Sequence, residues 1–137
     1  MNRIFVFGTL KRGYANHHEG LGGRTFLGAY RTARPYPLVI EGRWFTPMMM
    51  PEPGIGHVVT GELYEVDDET LATLDRIETA HFGYSRQSIE IVSCADGSVA
   101  TAWVYFKDRE FISEVHSGYL SEYTDRRYVH TSQRPVD

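Results

Sequence analysis

Residues 84–106 read YSRQSIEIVSCADGSVATAWVYF, two runs rich in β-branched and aromatic residues separated by Cys94-Ala95-Asp96-Gly97-Ser98. Tyr84 to Val92 and Val99 to Phe106 fit strands. The Asp-Gly pair between them is a hairpin signal, because glycine accepts the positive φ that a tight turn demands. The two runs therefore form an antiparallel pair, and the rest of the fold is read outward from it.

Upstream, Asp67 or Asp68 can cap a helix whose first turn is acidic, with Leu71, Leu74 and Ile77 recurring at helical spacing, and which ends near Glu78. Before it, HVVTGELYEV (57–66) alternates apolar and polar residues as a strand does. The Pro- and Gly-rich stretch Met50 to Gly56 reads as a turn. Pro35 and Pro37 restrict any strand between Tyr30 and Val39 to an edge, or to an entry into Leu38-Val39-Ile40. At the N-terminus a strand is expected from Arg3 to Phe7. Glycine-rich backbone follows, with a short helical turn between Tyr14 and Leu21. The polar, tyrosine-rich tail from Glu114 is read as one short helix and an irregular end. Hairpins without regular strand-helix alternation argue for an α+β fold on a curved or closed sheet.

The length of 137 residues and a hydrophobic content of 42% fit a single domain over 1–137. A formal charge of −4 argues against nucleic-acid or anionic-membrane partners and leaves a small molecule as the expected one. No apolar stretch approaches the roughly 20 residues that span a bilayer. Cys94 is the sole cysteine, so an intrachain disulfide is impossible and a reducing, cytoplasmic setting is expected.

Glu78 is the most informative residue. At 100° per residue it projects between Leu71 and Leu74, inside the apolar stripe and at the negative end of the helix dipole. Burial and dipole both push a carboxyl pKa upward, which is how a general base working near neutrality is made; a helix ending one residue earlier would leave Glu78 a surface acid. A second candidate is Phe7-Gly8-Thr9-Leu10, where a glycine leaving a buried strand lets successive N–H groups converge on an anion and Thr9 adds a hydroxyl. Lys11 and Arg12 beyond it could assist by charge, although such cations are more often solvated. His17 and His18 point about 100° apart on a helix, so no metal site is expected there. Cys94 reads as a passive thiol, and Met48-Met49-Met50 as core filling or an apolar wall.

Four stretches in order resemble one family: IFVFGTLKRG (4–13) followed by Asn16-His17, PYPLVI (35–40), GELYEVD (61–67), and LDRIE (74–78) with Tyr84 and Arg86 beyond. They are similar to the γ-glutamylamine cyclotransferases of the γ-glutamylcyclotransferase-like family. The resemblance implies a small mixed β-barrel flanked by short helices, no metal and no cofactor. It also implies conversion of a γ-glutamylamine such as ε-(γ-glutamyl)-lysine to 5-oxoproline and a free amine. Glu78 then matches the catalytic glutamate, and Phe7, Gly8, Thr9 and Leu10 the loop that cradles the substrate. Tyr84 and Tyr105 resemble tyrosines lining the family pocket, although Tyr105 in its hairpin strand equally fits a core aromatic. One departure stands out: the family loop begins with tyrosine where this chain has Phe7, removing a hydroxyl that could bond the ligand. The alternatives are the same reaction on γ-glutamyl amino acids, peptides or a γ-glutamyl-protected biosynthetic intermediate, and a non-catalytic binding module.

Overall fold

The computed structural model describes residues 1–79 and 83–135. The hairpin forms as expected: β6 (Tyr84–Ser93) pairs antiparallel with β7 (Val99–Lys107), Tyr84 opposite Lys107 and Val92 opposite Val99. Gly97 in its turn has φ 74°. Around this pair a closed five-stranded barrel assembles with β1 (Asn2–Val6), β2 (Thr25–Thr32) and β5 (Thr60–Val66), in the order β1-β5-β2-β6-β7. The closing contact, Ile4 beside Trp103, is parallel while every other pairing is antiparallel, so the barrel is mixed. A separate hairpin of β3 (Leu38–Glu41) and β4 (Thr46–Met49) lies outside the barrel.

The period-2 geometry of β1 explains how the molecule is layered. Phe5 faces a core with Leu63, Ile91, Val104 and Phe106, against which the β3–β4 hairpin also packs through Leu38, Ile40 and Met49. Ile4 and Val6 face the opposite side. There they meet Leu71 and Leu74 of α2 (Asp68–Thr79) and Leu21 of α1 (His17–Leu21). Asp67 caps α2 by accepting a 2.7 Å bond from the Thr70 N–H.

Two strands were not anticipated. β2 begins at Thr25, where the exposed, non-alternating TFLGAYRT and a bulge at Gly28 (φ 128°) hide its periodicity. β4 carries Pro47 opposite Ile40, which an edge hairpin tolerates because a proline there forfeits no central ladder bond. The predicted strand from His57 starts at Thr60, with His57 making only an isolated bridge to Tyr36. The tail holds no α-helix among its described residues. It runs back along β3, with His116 N–H donating to the Ile40 carbonyl at 2.8 Å and Leu120 N–H to that of Leu38 at 2.8 Å, and makes one 3₁₀ turn at Thr131–Gln133.

Candidate functional site

Leaving β1, the chain turns at Gly8 and forms one wall of a cavity of about 60 Å³, room for several water-sized groups where roughly 10–15 Å³ admits one. All of Phe7, Gly8, Thr9 and Leu10 line it. Pro47 and Met48 of β4, Tyr84 of β6 and Tyr105 of β7 supply further walls, and Glu78 enters from the last turn of α2. The structure thus brings together every site residue singled out in the sequence.

The loop is braced rather than loose. Asn16 donates from Nδ2 to Thr9 Oγ1 at 2.9 Å and from its backbone N–H to the Thr9 carbonyl at 2.9 Å. His17 Nδ1 lies 2.9 Å from the Leu10 carbonyl oxygen. The Lys11 N–H closes a turn onto the Gly8 carbonyl at 3.0 Å. Among the described residues, the N–H groups of Gly8, Thr9 and Leu10 have no acceptor. The glycine is required for packing: a Cβ on Gly8 would sit 2.8 Å from Pro47 Cγ, so its absence is what lets β4 close over the loop.

Glu78 lies inside α2, one residue before its end, so the surface-acid reading fails. Its carboxyl is surrounded by protein except toward the cavity, and this burial pushes its pKa up from 4.5 to about 7. The two tyrosines behave differently. Burial, followed by the nearby Glu78 and Glu41 carboxylates, drives the Tyr84 phenol far above its usual value, and its hydroxyl donates to Met48 Sδ. Burial and a 2.7 Å bond to Asp75 Oδ1 do the same for Tyr105. Near neutrality both phenols keep their hydrogens, while the raised pKa of the Glu78 carboxyl lies close to that range.

Asp75, three residues before Glu78 on α2, anchors the helix to the barrel. It accepts from Tyr105 and from Arg86 (Nε 2.8 Å, Nη2 3.2 Å), whose guanidinium lies over the Trp103 ring at 4.2 Å. This clamp pins α2 to β6 and β7. Tyr105 is accordingly neither a plain core aromatic nor a freely turning ligand group; its hydrogen is committed to Asp75 and its oxygen remains able to accept.

Several participants had no local signal in the sequence. Lys11, expected to be solvated, is 6% exposed. It donates to the Tyr123 carbonyl at 2.8 Å beside the Tyr14 ring, and burial lowers its pKa. Arg12 is exposed as anticipated, stacked over Phe26 at 3.9 Å. Lys107 borders the cavity and forms a buried 2.9 Å ion pair with Glu41, tying the β3–β4 hairpin to the barrel. Tyr128, from the tail, completes the cavity wall. Its partner on the loop side, Asn16, lies 112 positions away in the chain, so no spacing rule could have found it.

The family model described as γ-glutamyl cyclotransferase, AIG2-like, matches residues 4–127. The chain belongs to this family. It is 38% identical over 124 residues to the γ-glutamylaminecyclotransferase of Bos taurus, covering 88% of this chain and 74% of that one. With a putative γ-glutamylcyclotransferase of Drosophila melanogaster it shares 34% identity over 142 residues, covering 98% and 89%. The crystal structure of an AIG2-like protein from Mus musculus superimposes with a TM-score of 0.84 at 33% identity, covering 98% of this chain and 99% of that one. The family is one of enzymes, and the barrel found here is its fold.

Proposed function

We propose that this enzyme cyclises γ-glutamylamines, ε-(γ-glutamyl)-lysine among them, releasing 5-oxoproline and a free amine, with Glu78 as general acid and base. The observation that carries this reading is the Glu78 carboxyl, buried in the cavity wall, poised near neutrality and sharing that cavity with the Gly8–Leu10 loop. The names of the relatives point to the same substrate class.

The substrate brings its own nucleophile, so the protein needs no serine or cysteine. Its α-ammonium gives a proton to the Glu78 carboxylate and the freed amine attacks the γ-carbonyl carbon, forming the ring C–N bond. The bond to the leaving amine then breaks as that nitrogen takes the proton back from Glu78, and the ring nitrogen gives up its second proton through the same carboxylate, so the lactam keeps one N–H and the amine departs as an ammonium. A pKa near 7 serves these transfers. Holding the glutamyl chain folded supplies proximity, worth about 7–11 kcal/mol in well-oriented intramolecular reactions. The N–H groups of Gly8, Thr9 and Leu10 hold the α-carboxylate, Tyr84 and Tyr105 flank the glutamyl chain, and Phe7 contributes apolar contact where the family has a tyrosine. No cofactor takes part in these steps.

Residues from Phe5 to Tyr128 build one cavity, which supports treating residues 1–137 as one functional unit. The single, exposed thiol of Cys94 suits a reducing cytoplasm. Among the described residues no helix is long and apolar enough to cross a membrane. The test is 5-oxoproline release from ε-(γ-glutamyl)-lysine and, in parallel, from a γ-glutamyl amino acid, with Glu78→Gln as control. Release from the lysine compound that vanishes in the variant supports the reading. Preference for the amino-acid compound moves the substrate to that class, and a fully active variant removes Glu78 from the mechanism.

A further inference from the structure

The tail delivers one hydroxyl to the cavity, and the partners of that hydroxyl are unbalanced. Tyr128 Oη lies 3.2 Å from Asn16 Nδ2 and 3.4 Å from Arg134 Nη2. Both neighbours are donors: a guanidinium has no acceptor, and Asn16 is oriented with its amide nitrogen shared between Tyr128 and Thr9 Oγ1. The Tyr128 oxygen therefore accepts twice, and among the described residues its own hydrogen has no acceptor. The half-buried ring lines the same cavity as Glu78 and the Gly8–Leu10 loop.

Asn16 decides which end of the cavity this donor serves. Because one Nδ2 bridges Thr9 Oγ1 and Tyr128 Oη, the hydroxyl is held beside the loop. Arg134 sits behind it, over the Tyr128 ring at 5.7 Å and the Trp44 ring at 5.1 Å, with Nε donating to the Val129 carbonyl at 3.0 Å. Its positive charge favours an anion in front of the hydroxyl. Position 128 also falls just past the 4–127 span of the family match.

On the reading that the substrate is a γ-glutamyl amide, we infer that Tyr128 donates its O–H to the substrate α-carboxylate, completing the cradle begun by the N–H groups of Gly8, Thr9 and Leu10, with Asn16 and Arg134 as positioning residues. A carboxylate has lone pairs to spare beyond those the loop engages, and a hydrogen bond to a charged acceptor is among the stronger kinds. The contact exists equally in the ground and transition states, so it acts on binding rather than on turnover.

The test is Tyr128→Phe, which keeps the ring and removes one oxygen. With ε-(γ-glutamyl)-lysine, KM should rise on the order of 10- to 100-fold while kcat stays within about threefold. An unchanged KM overturns the inference, and so does a fall in kcat at constant KM. As a second arm, an N-alkyl 4-aminobutanamide, which lacks the α-carboxylate, is measured as a competitive inhibitor. Wild type and variant should bind it equally, and a loss as large as that for the substrate would mean the hydroxyl only supports the wall. Wild-type turnover tests the function and the variant-to-wild-type ratio tests Tyr128. Turnover with an unchanged ratio sinks Tyr128 alone, whereas no turnover of any γ-glutamyl amide sinks both.

Discussion

Replacing Glu78 with glutamine should make the protein more stable at alkaline pH and far less active at every pH. The folded-state carboxyl is raised from 4.5 to about 7 by burial, so folding disfavours its ionised form. Below pH about 4.5 the group is protonated whether folded or unfolded and no penalty exists. As pH rises the unfolded chain ionises first, and the penalty grows until the folded group also ionises near 7, then stays constant. From those two values it is under about 1 kcal/mol at pH 5 and about 3 kcal/mol at pH 8. Glutamine keeps the shape and cannot ionise. The variant should therefore melt on the order of 10 °C higher than wild type at pH 8 and nearly with it at pH 5, read by calorimetry across that range. An equal offset at both pH values would refute the claim that a buried, ionisable Glu78 strains this fold. In wild type, kcat/KM should carry an acidic limb near pH 7, rising as Glu78 becomes the carboxylate that accepts the proton, and kcat of the variant should fall by about 10²–10⁴-fold.

Other substitutions test the scaffold. Gly61→Ala places a Cβ 2.4 Å from the Val6 carbonyl and 2.7 Å from the Phe5 ring, inside a paired ladder that cannot part, and should cost more than about 2 kcal/mol in urea unfolding. Asp75→Asn removes the carboxylate shared by Arg86 and Tyr105. Since the Arg86 pair is partly exposed, a loss of about 1–2 kcal/mol is expected by thermal melting. Lys11→Met leaves the Tyr123 carbonyl without its donor, and hydrogen exchange should quicken in residues 120–134 while β6 and β7 are unchanged.

The sequence by itself determined the elements whose physics is local. The β6–β7 hairpin follows from its Asp-Gly turn, α2 from its cap and apolar stripe, and the placement of Glu78 inside that stripe from helical periodicity alone. The loop at Gly8 was legible for a similar reason, since a glycine ends an apolar run there. What stayed hidden depends on residues distant in the chain. β2 shows no alternation because most of its side chains are exposed, and β4 is recognisable only once β3 lies beside it to accept Pro47 at an edge. Lys11 is buried because the tail folds back and offers it the Tyr123 carbonyl. The reason for Gly8 lies in Pro47, 39 positions later, and the clamp on α2 in Arg86 and Tyr105 of a neighbouring hairpin. Tyr128 reaches the loop across 112 residues from Asn16. Periodicity and capping are set by neighbours within a few residues, whereas burial, close approach and convergence on a cavity are set by which distant surfaces exclude water together, and that was decided by the closing of the barrel and the return of the tail.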